Sequence, residues 1–169
     1  HGVADANAEG LRLVLDPGES VVIRLNTEVV SGQSFPYWVP TGEAIVPGGT
    51  WKVEFIDGGP EIPKAFETGN LGSWTERDDP ALKAFSGTAR YSMEFPMEQA
   101  PVGGLVLDLG EVGETCRVRL NAQNLGSSFF PPHRFDITAM IKAGVNKLEV
   151  EVSNLAANRI ADLDRRGVE

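Results

Sequence analysis

The stretch from Gly87 to Asn154 constrains this chain most. Thr88-Ala-Arg-Tyr-Ser-Met-Glu-Phe95, Cys116-Arg-Val-Arg-Leu120 and Lys147-Leu-Glu-Val-Glu-Val-Ser153 each alternate polar and apolar side chains, and Leu105-Val-Leu-Asp-Leu109 lies between the first two. Gly, Asn and Pro fill the gaps. Side chains of a strand point alternately to opposite faces, so a period of two marks a strand with one face buried. Several such strands bounded by turn formers predict an all-β protein built as a β-sandwich.

The chain has 169 residues, enough for one domain with a sizeable core. Its 41% hydrophobic and 23% charged residues describe a folded chain rather than a disordered one. No apolar run approaches the roughly 18 residues needed to cross a bilayer. The net charge of -9 argues against nucleic acid, whose phosphates need a basic face, and against an anionic membrane surface. A neutral ligand such as a sugar suits it, as does a plainly solvated surface. Cys116 stands alone, so no internal disulfide can form, and its place in an alternating strand marks a small core residue. The chain opens without Met and without the basic and apolar regions of a leader, and it stops inside the charged run 162–167. It reads as a piece of a longer protein.

Leu11, Leu13 and Leu15, the turn Asp16-Pro-Gly-Glu19 and the return Ser20–Asn26 predict a β-hairpin. Residues 27–49, rich in Gly, Pro and Ser, read as a connector with a short extended piece at 37–39. We therefore divide the chain into a hairpin segment and connector, 1–49, and a sandwich, 50–169. Trp51-Lys-Val-Glu-Phe-Ile56 opens the sandwich, with Trp51, Val53 and Phe55 on one face. Asp79 as N-cap and Pro80 at the first helical position predict a short helical turn over 79–85. Asn121–Gly126 is a tight hairpin, Pro131 and Pro132 stiffen the loop Phe129–Arg134, and Phe135–Lys142 includes one helical turn.

The pieces Leu107-Asp-Leu-Gly110, Val118-Arg-Leu-Asn-Ala-Gln-Asn-Leu-Gly126, Phe135-Asp-Ile-Thr138 and Gly144-Val-Asn-Lys-Leu-Glu-Val150 resemble the galactose-binding-like jelly roll of family 2 glycoside hydrolases and their relatives, with Ala122 where Gly is usual. Trp51–Pro60, Leu71-Gly-Ser-Trp-Thr75, Phe85–Tyr91 and Asn154–Ile160 are similar to the C-terminal region of bacterial proteins akin to family 106 α-L-rhamnosidases. The resemblance implies a jelly-roll β-sandwich that is accessory to a catalytic barrel elsewhere in the parent chain, with 10–26 as the tail of a preceding β-domain. It also implies plant or microbial polysaccharide as the carbohydrate partner and a periplasmic or secreted parent.

Hydrolysis of a glycoside needs two carboxyl groups roughly 5–9 Å apart across the bond. Glu149 and Glu151 share one face of a strand, about 7 Å apart, but a simply solvated face is the expected explanation. There is no Gly-x-Ser-x-Gly elbow, and His1 and His133 are the only histidines, so neither a triad nor a zinc site is supported. Calcium suits acidic loops, and sandwich modules of this shape sometimes hold a structural calcium ion. Asp57, Asp78, Asp79 and Asp136 are the acidic candidates, but no Asp-x-Asp-x-Asp-Gly loop occurs. Sugar binding needs an aromatic platform beside amide, Arg or carboxylate groups. Trp74, Asn121, Asn124, Phe130, His133 and Arg134 are the residues that could supply these, with Phe129 beside them. Structural alternatives stand beside these: Trp74 capping the core, Phe129 or Phe130 packing between layers or against the missing catalytic domain, Arg134 pairing with Asp136 or another carboxylate. A non-catalytic accessory domain is thus the leading expectation. A free-standing carbohydrate-binding module and a small hydrolase active alone are the alternatives.

Overall fold

A computed structural model describes residues 6–7, 10–11, 13, 15, 20–28, 30–32, 41–99 and 103–168. The chain divides into two units, 1–46 and 47–169. In the first, β1 (Ala6–Asn7) pairs antiparallel with β2 (Gly10–Leu11). The expected return strand over 20–26 is not formed: Val22 and Leu25 are 97% and 88% exposed, so alternation there has nothing to bury. The predicted turn at 16–19 and the extended piece at 37–39 lie outside the described residues.

The second unit is built on a six-stranded sheet. Its strands are β3 (Trp51–Gly59), β4 (Phe66–Thr68), β5 (Ser86–Met97), β7 (Thr115–Leu120), β8 (Gln123–Ser128) and β10 (Gly144–Ser153). They lie in the order β4-β3-β5-β10-β7-β8, antiparallel throughout. Two further short strands, β6 (Val106–Asp108) and β9 (Arg134–Asp136), pair with each other. Among the described residues helices are few: a 3-10 turn at Trp74–Glu76, α1 (Pro80–Ala84) and α2 (Ala157–Arg165). The fold is therefore mainly antiparallel β, as the alternation predicted.

The register explains how the sheet buries one face only. Leu148 and Val150 of β10 stand opposite Met93 and Tyr91 of β5 on one side and Leu120 and Val118 of β7 on the other. These apolar residues share a face, which Phe135 of β9, Ile137 and Ile141 cover. The fully buried Val118 and Leu120 each contribute on the order of 2 kcal/mol through burial. Along the same face, Val53, Phe55 and Ala89 pack under Trp74, Leu82 and Phe85. The Phe55 ring meets Trp74 and Phe85 edge-on, with centroids 5.6 and 4.9 Å apart. The opposite face is ionic, with pairs Lys52–Glu54, Arg90–Glu151 and Lys147–Glu149.

Local chemistry sets the connections. Asp79 caps α1 by accepting from the Ala81 N–H at 2.9 Å, and Pro80 occupies the first turn, as expected. The Phe135-Asp-Ile-Thr138 motif folds on itself: Asp136 accepts from the Thr138 N–H, and the Thr138 hydroxyl accepts from the Leu105 N–H. Asn154 accepts from the Gly87 N–H at 2.7 Å and donates to the Phe85 carbonyl, so this strand-end Asn serves backbone, one of the roles its position suggested. Arg159 pairs with Asp162 within α2.

The β7–β8 turn has two residues, Asn121 and Ala122, with φ of 51° and 67°. Both are left-handed, as the favoured two-residue hairpin turn requires. Asn tolerates this, whereas alanine's Cβ crowds the backbone there. Ala122→Gly is expected to raise stability by about 0.5–1 kcal/mol, read as a higher denaturant midpoint at unchanged slope.

Candidate functional site

The six residues singled out for sugar binding do not form one site. Trp74 is 6% exposed, and both Phe55 and Phe85 pack against it. Its ring belongs to the core, so the platform expected there is not presented at the surface. Asn121 is spent on structure: its amide donates to the Met140 carbonyl at 2.9 Å and to Asn146, and its oxygen accepts from the Lys147 N–H. Asn124 accepts from the Gly126 N–H in the bulged start of β8. Phe129 and Phe130 follow the other end of β8, about 17 Å away at strand spacing. The expected proximity of the Phe-rich loop to the Asn121–Asn124 hairpin is therefore not met, because an unanticipated strand, β8, separates them.

His133 is buried, with Nδ1 2.9 Å from the Ser128 hydroxyl and 4.0 Å from Cys116 Sγ. Burial pushes the Cys116 thiol up from its ordinary 9.0, which favours the neutral thiol over the thiolate. Arg134 pairs with a carboxylate, one of the structural roles expected of it: its Nε donates to Asp108 Oδ2 at 2.7 Å. That donation holds the Asp108 carboxyl below its ordinary 3.8, with help from the Gly110 N–H. A lowered carboxyl value stabilises the fold above the ordinary value, and the contribution fades as pH falls through the lowered one. Both side chains are nearly half exposed, so solvent screening keeps the effect small. Asp108→Asn is expected to cost under about 1 kcal/mol at neutral pH, and progressively less as pH falls below the ordinary carboxylate range, as read by denaturant titration across that range.

Two depressions stand out among the described residues of the second unit. The larger is lined by Lys64, Phe66, Arg77, Asp78 and Asp79 among others. Three of its charged groups are already engaged: Arg77 lies 4.0 Å over the Phe66 ring, Asp78 pairs with Lys83, and Asp79 caps α1.

The second depression, of about 220 Å³, lies at one end of the ionic sheet face. Two cross-strand rows build it. Ser153 of β10 stands between Thr88 of β5 and Thr115 of β7, and the Thr88 and Ser153 hydroxyls are 2.7 Å apart. The next row on that face is Arg90, Glu151, Arg117 and Ser127. Glu151 Oε1 accepts from Arg90 Nε and Nη2 at 3.2 and 2.8 Å, and its Oε2 is 3.8 Å from Arg117 Nη1. Phe129, 64% exposed, closes the rim. Hydroxyls, a guanidinium and a solvent-facing aromatic ring thus converge here, a set that suits a polyhydroxylated ligand. Register alone brings them together, and single-strand patterns could not show it.

The chemistry of bond cleavage has less support. Glu149 and Glu151 share the ionic face as read from sequence, but they are bound to Lys147 and to Arg90 respectively. Among the described residues no three His, Cys, Asp or Glu side chains gather as a metal site. Of the calcium candidates, Asp78 pairs with Lys83, Asp79 caps α1 and Asp136 serves its own turn. No helix among the described residues is long and apolar enough to cross a membrane.

A mainly antiparallel β unit with a one-sided core is the class that fold and surface define. Comparison with known proteins places it beside parts of glycoside hydrolases. No protein-family model matches the sequence. A protein of Formosa agariphila named "Putative beta-glucuronidase" is 36% identical, over 74% of this chain and 12% of its own length. Among solved structures, the rhamnosidase of Novosphingobium sp. PP1Y is 30% identical and matches 82% of this chain with a TM-score of 0.67, using 14% of its own chain. The β-glucuronidase of Bifidobacterium dentium, complexed with coumarin-3-O-glucuronide, is 28% identical over 63% of this chain and 20% of its own, with a TM-score of 0.51. This chain thus spans 12–20% of the length of these relatives.

Proposed function

We propose that residues 50–169 are an accessory, non-catalytic jelly-roll module, galactose-binding-like in type, of a bacterial glycoside hydrolase resembling α-L-rhamnosidases. Residues 1–49 are then the tail of a preceding domain. The catalytic domain is the module's partner within the same parent chain, and plant or microbial polysaccharide its carbohydrate context.

One observation carries this reading: 82% of the chain corresponds to 14% of a rhamnosidase. So small a share of a large glycosidase leaves ample chain for catalysis elsewhere. The chemistry agrees, since Glu149 and Glu151 are held in ion pairs and Cys116 is buried. The test is incubation of the purified chain with pectic and rhamnose-containing polysaccharide. No reducing ends above the blank are expected, and their release in proportion to added protein would overturn the non-catalytic reading.

A further inference from the structure

We propose that the depression between Thr88, Thr115, Ser153, Arg117 and Phe129 is a binding subsite for one acidic pyranose, the uronic acid unit of a glycan. This rests on the accessory, carbohydrate-linked reading above and adds to it a place and a ligand class.

Four features point there. The hydroxyls of Thr88, Thr115, Ser127 and Ser153 line one concave patch, and each can both donate and accept, as sugar hydroxyls do. Phe129 presents an exposed aromatic ring at the rim, against which the apolar face of a pyranose can pack. Its loop is fixed before any ligand arrives: the Ser128 hydroxyl bonds the Phe130 carbonyl and the buried His133 ring, so little ordering is left to oppose binding. At about 220 Å³ the depression is smaller than the roughly 300–1,000 Å³ of pockets for drug-sized ligands, which fits one sugar unit and not a longer segment.

The charge selects the sugar. Arg90 neutralises Glu151 through two N–H donors on one oxygen. Arg117 reaches the other oxygen only at 3.8 Å, beyond hydrogen-bond range, and its side chain is 57% exposed. Arg117 therefore keeps N–H donors clear of Glu151 at the edge of the patch, on a group whose planar fork matches a carboxylate in bidentate fashion. The protein as a whole is acidic, but charges farther than a screening length of about 10 Å are damped at ordinary salt. The local guanidinium therefore governs which sugar is preferred.

The test compares methyl β-D-glucuronide with methyl β-D-glucoside, which differ only in a carboxylate against a hydroxymethyl group. The two are titrated into the 169-residue chain and followed by backbone amide resonances. The glucuronide should shift Thr88, Thr115, Ser127, Phe129 and Ser153 with a Kd on the order of 1 mM. The glucoside should bind roughly fivefold more weakly. Arg117→Gln should erase that difference, and Phe129→Ala should weaken both ligands. Both side chains are exposed, so the variants should keep the parent thermal midpoint. The subsite is overturned if neither glycoside moves these amides, if both bind equally, or if Arg117→Gln leaves glucuronide affinity unchanged. None of those results touches the accessory reading, which fails only if the chain itself cleaves glycosides.

Discussion

Asn146→Ala is expected to cost about 3 kcal/mol of stability, lowering the thermal midpoint by roughly 10 °C. Asn146 is fully buried yet fully satisfied. Its Oδ1 accepts from Asn121 Nδ2 at 2.8 Å and from the Lys142 N–H at 3.0 Å, and its Nδ2 donates to the carbonyls of Lys142 and Gly144. One side chain thereby ties the start of β10 to the turn before it and to the β7–β8 hairpin. Alanine would leave the Asn121 amide and three backbone groups without this partner and would open a void. Each buried group left unpaired costs on the order of 1–3 kcal/mol, though water can reach some of these. Asn146→Asp should be no better, because it loses both donors and buries a charge. Denaturant unfolding at unchanged slope is the measurement. A loss below about 1 kcal/mol would mean that the network does not hold the hairpin.

Gly58→Ala is expected to be comparably severe, at about 3 kcal/mol or more. Gly58 has φ of 137°, where side chains are rarely found, and it faces Gly87 across the β3–β5 ladder just after a bulge. A Cβ there would run into the Ser86 carbonyl oxygen, 2.6 Å from the Gly87 Cα and 2.9 Å from the Phe85 ring. The obstacles are backbone and a fully buried ring, so neither can yield cheaply. Gly59→Ala is the control, since a Cβ at Gly59 meets nothing within 4 Å and should change stability by less than about 1 kcal/mol. Equal effects at the two glycines would sink this explanation.

What could be read from sequence follows from the range of the forces involved. Alternation is local, and it located β3, β5, β7 and β10 to within a few residues, because each buries one face. Capping is local too, so Asp79 and Pro80 marked α1. Strand β4, three residues long, has no period to detect and exists because Trp51–Val53 pair with it. Strand β8 hid behind Gly126 and its serines, with a bulge breaking the alternation. Helix α2 carries a local signal of another kind: Arg159, Asp162 and Arg166 recur at helical spacing and form ion pairs. The candidate site was least legible. Thr88 and Ser153 are 65 residues apart in sequence and meet only through the register of β5 and β10. Trp74 was misleading as a platform because a polar, irregular segment folds its ring into the core.

The most direct test of the non-catalytic reading is the rate at which the purified chain releases 4-nitrophenol from its α-L-rhamnoside and β-D-glucuronide. Wild type, Glu149→Gln and Glu151→Gln should all match the buffer blank. Turnover by the wild-type chain that either carboxylate substitution abolishes would contradict it, and would make this unit the site of hydrolysis.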